Sequence, residues 1–205
     1  MSGRLMATAE ETGVGAFHLF WGGSLATIFS AICSILIARL LGPELYGLYS
    51  LSFIVYSFLM IFTDFGISQA NIRFIANYIS QEKRNYTIPI FKISLLFNLV
   101  ISFIVFSIGF IFSDKLTIML LNRFEIISLV RLTLILIIIQ SITIIIGNTL
   151  LGLGDMKGYA MIDVIRQIFR IILSPTLIIL GLSVLGAIMG YIIAFIAGFI
   201  TSLIL

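Results

Sequence analysis

Asp163, Arg166, Gln167, Arg170 and Ser174 stand at i, i+3, i+4, i+7 and i+11 in the segment YAMIDVIRQIFRIILS (Tyr159 to Ser174). At about 100° per residue, this spacing draws one continuous stripe along a helix. An arginine guanidinium is a planar fork that makes paired hydrogen bonds to phosphate or carboxylate oxygens. The chemistry within reach of the stripe is therefore recognition of an anion, with no bond made or broken. The rest of the segment is apolar, and Arg170 lies some ~16 Å along the helix from the preceding turn at ~1.5 Å per residue. An arginine facing lipid at that depth costs at least ~2.5–3.5 kcal/mol. Two readings follow. Either the stripe faces a watery cavity between helices, or Arg166 and Arg170 snorkel to headgroups with Asp163 paired to Arg166. Ser174-Pro175 adds a kink site just beyond, because proline removes a backbone hydrogen bond.

Three further polar residues interrupt apolar surroundings: Asp64, Asn98 and Gln140. Asp64 ends an uncharged run; it either binds a coupling cation or pairs with an arginine of the stripe, or else it caps the helix opening at Ile67 or pairs with Arg73. Ser94, Asn98 and Ser102 repeat every four residues, and Gln140, Thr143 and Gly147 follow i, i+3, i+7. Such amides make interhelical hydrogen bonds more often than ligand contacts. A catalytic set is not expected. One cysteine (Cys33) and one histidine (His18) give no intramolecular disulfide and no Cys/His metal site. GLGDMKG (Gly152 to Gly158) lacks the GK[ST] ending of a phosphate-binding loop. DFG (Asp64 to Gly66) stands without a kinase's other motifs. Neither a metal nor a cofactor is expected.

The elements that carry these residues are membrane spans. Sixty per cent of the 205 residues are hydrophobic and 10% are charged, against roughly a quarter charged in soluble domains; mean hydropathy is +1.22. Leu45 to Thr63 is an uncharged run of 19 residues, enough to cross a hydrocarbon core ~30 Å thick. Spacing predicts an all-α, polytopic membrane protein with six spans at about 17–40, 45–63, 89–112, 129–151, 159–180 and 186–205, and an amphipathic continuation at 67–79. Residues 1–16 read as a short cytoplasmic lead without the features of a signal peptide. Leu40 to Glu44 (LLGPE) is a stop and a turn. Gly186, Gly190, Ala194, Gly198 and Ser202 form a small-residue rail that admits a neighbouring helix. Eight lysines and arginines fall on the side of the N-terminus and four on the other. That excess predicts a cytoplasmic N-terminus in the cell membrane. A net charge of +3, scattered along the chain, gives no footprint for nucleic acid.

ARLLGPELYGLYS (Ala38 to Ser50), DFGISQANIRFIA (Asp64 to Ala76) and GLGDMKGYAMIDVIRQIFRIILS (Gly152 to Ser174) occur in this order. Together they resemble the polysaccharide biosynthesis and export flippases, including those of O-antigen and oligosaccharides, within the MATE/MOP superfamily of multidrug and toxin extruders. The resemblance covers essentially the whole chain but only the N-terminal half of a family member, which has 12 to 14 spans in two lobes. It implies one six-helix lobe of a transporter that carries polyprenyl-linked oligosaccharide across the bilayer. It also implies a central, partly cationic substrate cavity between lobes, for which the stripe of Asp163, Arg166, Gln167, Arg170 and Ser174 is the candidate lining. The implied partners are the lipid bilayer, an anionic lipid-linked sugar, and a second lobe or a homodimer partner. The apolar end at Leu205 suggests a truncated or split gene product. A cation-coupled multidrug exporter of the same fold is the nearest alternative. A non-transporting scaffold is another, and a membrane glycosyltransferase is disfavoured, because Glu44, Asp114 and Glu125 are too scattered for paired acid–base work.

Overall fold

The computed structural model describes the backbone of residues 2–205 and the side chains of residues 13–205. The lead assigned to residues 1–16 therefore lies, up to residue 12, outside the residues whose side chains are described. Helices account for almost all of the described chain: α1 Ser2–Asp64, α2 Ile67–Ser80, α3 Thr87–Ile111, α4 Ser113–Leu121, α5 Ile127–Leu134, α6 Leu136–Leu153, α7 Met156–Leu177 and α8 Ser183–Ile204.

The apolar stretch Gly13–Asp64 in α1 has 52 residues, about 78 Å if straight, far more than one ~30 Å crossing needs. Gly42 breaks it at φ 73°, ψ 173°, a left-handed value that glycine adopts at little cost, and Pro43 follows. The two guanidinium nitrogens of Arg170 reach Ser30 at 3.4 Å and Tyr49 at 3.5 Å. Those residues would stand about 28 Å apart along one straight helix, so the chain doubles back at Gly42 into two arms. The stretch Met156–Ile204, 49 residues long, reverses in the same way. Gly181 (φ 93°) and Ser183 (φ 49°) make that turn. With Arg84–Ile111 and Phe124–Leu153 crossing once each, the chain makes six crossings, the number expected from its spacing.

Close glycine contacts set the helix pairs. A Cβ on Gly22 would come 2.5 Å from the Ala160 Cβ, so the first arm of α1 lies tightly on α7. On α8, a Cβ on Gly190 would stand 2.6 Å from the Ser174 backbone, and one on Gly198 would meet the Arg166 side chain at 3.3 Å. The small-residue rail thus serves the α7–α8 pair, where close backbones take the place of a hydrophobic driving force between spans. The rail residues Gly186, Gly190, Ala194, Gly198 and Ser202 are all buried. A core of Cys33, Ile37, Val55, Val130, Ile137 and Ile188 joins both arms of α1 to α5, α6 and α8. Ile61, Ile93, Ile111, Leu180 and Ile204 point outward, the pattern of a bundle whose surroundings are lipid. The connection expected from Ser113 to Ser128 contains α4 and a 3-10 turn at Phe124–Ile126. Arg131 holds the start of α4 by bonding the Asp114 carboxylate at 2.9 Å and Ser113 Oγ at 3.0 Å.

Candidate substrate site

Arg166 and Arg170 are one turn apart on α7, and Tyr191 and Phe195 are one turn apart on α8. The helices run antiparallel, so 170 meets 191 and 166 meets 195. The Arg170 guanidinium lies 4.6 Å from the Tyr191 ring centroid, and that of Arg166 lies 4.7 Å from Phe195. Each contact offers a cation the negative face of a ring, worth up to ~2 kcal/mol when desolvated. The rings are themselves braced. Tyr191 packs on Phe53 at 4.9 Å, and Phe53 on Tyr49 at 5.0 Å, so the second arm of α1 backs the aromatic wall.

The two arginines differ in their charge partners. Arg166 pairs with Asp163 at 2.7 Å, and both side chains stay partly open, at 20% and 34% exposure. Arg170 has no carboxylate within salt-bridge distance among the described residues. Its Nη1 and Nη2 donate to the Ser30 and Tyr49 hydroxyls, while its Nε is buried without a partner. Arg170 stands about 21 Å from the start of α7 and about 10 Å from its end, counted at 1.5 Å per residue. Its head contacts groups inside the bundle and does not snorkel to either end of the helix.

Two hollows flank the Asp163–Arg166 pair. One, of about 480 Å³, lies between α7 and the first arm of α1; Gly23, Thr27, Ser30 and Ser34 line it together with Asp163, Arg166 and Gln167. The Gln167 Oε1 is buried and has no partner. The other, of about 220 Å³, lies between α6 and α7 and is lined by Gln140, Thr143, Gly147, Asn148, Tyr159, Asp163 and Arg166 among others. Its shape follows from sequence: 140, 143, 144, 147 and 148 form one face of α6, and 159, 162, 163 and 166 form one face of α7. Asp155 anchors the start of α7 by accepting the Gly158 N–H at 2.9 Å.

The structure therefore gathers Asp163, Arg166, Gln167 and Arg170, and brings Gln140 to the same region. Ser174 is fully buried and donates to the Ala187 carbonyl at 3.2 Å, a brace between α7 and α8. Asp64 lies elsewhere, its Oδ1 accepting the Ser68 N–H at 2.9 Å and capping α2. Asn98 donates to the Thr63 carbonyl at 3.2 Å and ties α3 to the second arm of α1, while its own Oδ1 stays unpaired. Tyr49, Tyr191, Phe195, Asn148 and Tyr159 were not singled out by the sequence. Their signal is faint: aromatic and amide positions at helical spacing, indistinguishable from lipid-facing or packing residues until the helices are paired.

This bundle has the fold of known MATE and MOP superfamily structures. It superimposes at TM-score 0.78 and 22% identity on a multidrug resistance MATE family transporter of the MOP superfamily in its outward-facing conformation. The same values hold for a MOP superfamily transporter from Pyrococcus furiosus Vc1 (DSM3638), described as having a binding pocket of reverse polarity that suggests a different function. A MATE transporter in its bent conformation gives 0.76 and 20%. The chain is covered to 92%, 92% and 90% in these comparisons and spans 42% of the length of each transporter. No curated protein matches the sequence significantly. The sequence pattern of the family described as polysaccharide biosynthesis protein matches residues 13–205, and the chain belongs to that family.

Proposed function

We propose that this chain forms one lobe of a flippase that moves an anionic, lipid-linked saccharide across the cell membrane, with a second lobe completing the pathway. The observation that carries this reading is Arg170: a guanidinium deep in the bundle with hydroxyl and aromatic neighbours but no carboxylate partner among the described residues. An uncompensated charge in a medium of low dielectric is costly, and an anionic headgroup would relieve that cost. A pyrophosphate suits it, because the arginine fork makes paired, charge-assisted bonds to phosphate oxygens. Such a carrier changes no covalent bond and works by alternating access around a site near the midplane. The multidrug alternative calls for a free interior carboxylate to hold a cation. Asp163 is already paired with Arg166, and Asp64 caps α2, which speaks against it.

The direct test is binding. The chain in nanodiscs should bind farnesyl pyrophosphate, and Arg170→Leu should lower the affinity at least tenfold while membrane insertion persists. Undiminished binding by Arg170→Leu would remove the basis of the proposal. The cytoplasmic N-terminus rests on the cation excess. Cysteines placed at Lys83 and at Asp114 in a Cys33→Ser background should react with an impermeant thiol reagent from opposite sides. Labelling at position 83 from outside intact cells would reverse the orientation.

A further inference from the structure

We propose that the hollow between α6 and α7 is a seat for one neutral sugar ring, and that it sets the saccharide preference of the site. The inference rests on the reading of the chain as a carrier of lipid-linked saccharide, and adds where the sugar sits and what recognises it. The lining of this hollow differs in charge from the Arg170 environment. Among the described residues, the ionic groups that line it are Asp163 and Arg166, bonded to each other at 2.7 Å, so their charges cancel. The remaining polar lining is neutral: Gln140, Thr143, Asn148 and Tyr159. A free cation meets Arg166 there, and a free anion meets Asp163. A ring bearing several hydroxyls meets both donors and acceptors among these residues and leaves no charge of its own unpaired.

Size and satisfaction agree with this assignment. At about 220 Å³, the hollow is smaller than the ~300–1,000 Å³ that houses drug-sized ligands, so it holds a single ring. The Gln140 Oε1 is buried with no partner among the described residues, and a buried acceptor left unmade costs about 1–3 kcal/mol. A sugar hydroxyl donates to such an acceptor. Ile144 and Ile162, with the Tyr159 ring, supply apolar lining for the C–H face of a sugar ring. Gly147 lets the Tyr159 ring lie close against α6, since a Cβ there would stand 3.2 Å from that ring. The hollow shares Arg166 and Asp163 with the larger hollow on the α1 side. A headgroup bonded to Arg166 would therefore place its first sugar at the mouth of this hollow.

Two probes separate this seat from the headgroup site: farnesyl pyrophosphate, and the same lipid with glucose, galactose or N-acetylglucosamine attached through its pyrophosphate. With wild-type chain in nanodiscs, at least one glycosylated probe should bind about tenfold more tightly than the bare pyrophosphate. Gln140→Leu and, separately, Asn148→Ala should erase most of that difference while leaving binding of bare farnesyl pyrophosphate unchanged. Arg170→Leu should weaken all probes. Gly147→Val, which would crowd Tyr159, should also erase the sugar increment, and a near-wild-type affinity for the bare probe shows that the variant has folded. Equal wild-type binding of bare and glycosylated probes would overturn the seat and leave the flippase reading standing. Failure of every probe to bind would defeat both. Equal weakening of all probes by Gln140→Leu would likewise overturn the seat, since it would place Gln140 at the headgroup.

Discussion

Two polar regions of this bundle use similar residues to opposite ends. At the junction of α1 with α2 and α3, the principal polar contacts end on backbone: Asp64 takes the Ser68 N–H, Asn98 gives to the Thr63 carbonyl, and Ser102 gives to the Asn98 carbonyl. Around the Asp163–Arg166 pair on α7 and the facing side of α6, the groups end on other side chains or on open space: arginines on a carboxylate, aromatic rings and hydroxyls, Gln167 and Gln140 with unpaired oxygens beside hollows. A bond to backbone closes a polar group within the fold, because the backbone has no other place to go. A stack on a ring leaves several donors of a guanidinium free for a visitor. The contrast separates bracing from binding better than polarity or depth does, and substitutions can test it.

The largest effect is expected at Arg170. In a strain lacking its own flippase, the chain co-expressed with a matching second lobe should restore surface glycan, and the chain alone should not. In that two-lobed setting, Arg170→Leu should abolish restoration with insertion intact. Arg170→Lys should keep part of it, since the charge survives but the paired geometry is lost. Wild-type export from Arg170→Leu would erase the distinction between the two regions.

A smaller effect, on stability, is expected where the α7 stripe is held in register. A side chain on Gly190 would drive into the Ser174 backbone, and overpacking of this kind costs typically ~1–3 kcal/mol. Gly190→Leu should lower the unfolding midpoint in detergent and weaken farnesyl pyrophosphate binding as well, because it displaces Tyr191 from Arg170. Unchanged stability would mean that α7 and α8 tolerate separation.

How far these regions were legible in the sequence depended on the range of the interaction. The stripe from Asp163 to Ser174 and the reversal at Gly42-Pro43 are local, since helical period and turn chemistry specify them within a dozen residues. The rail on α8 announced a close partner by spacing alone, though not that the partner is α7. Ser174 shows the limit: it lies on the stripe by angle, yet it turns to the Ala187 carbonyl. The aromatic wall could not be read, because Tyr49, Phe53, Tyr191 and Phe195 acquire their role only when α1 and α8 meet α7. Asp64 was legible as a helix break, but the choice between a cap and an ion ligand rests on a 2.9 Å bond that sequence does not display.

At the bracing junction, the effects should be local and modest. Asp64→Ala removes the side-chain acceptor at the start of α2, a loss of about 0.5–2 kcal/mol for a capping group. Hydrogen exchange should rise in the first turn of α2, with farnesyl pyrophosphate binding unchanged. A sodium-dependent stabilisation that vanishes in Asp64→Ala would instead make this carboxylate an ion ligand and blur the contrast.

Asn98→Leu is the mildest and most discriminating test. The Asn98 amide donates once, to the Thr63 carbonyl, and its Oδ1 has no partner. Interhelical side-chain bonds inside membranes average about 0.6 kcal/mol. Leucine has similar bulk and removes the unpaired oxygen together with the bond, so the two changes partly offset. The midpoint of unfolding should move little, and probe binding should not move at all. The matching change on the other side, Gln140→Leu, also removes an unpaired oxygen and should be as mild for stability, yet it should erase the preference for a glycosylated probe. If Asn98→Leu and Gln140→Leu changed probe selectivity alike, the division between a braced junction and an open site would fail. If only Gln140→Leu did so, two analogous amide-to-leucine substitutions would differ in function because of the hollow that Gln140 lines.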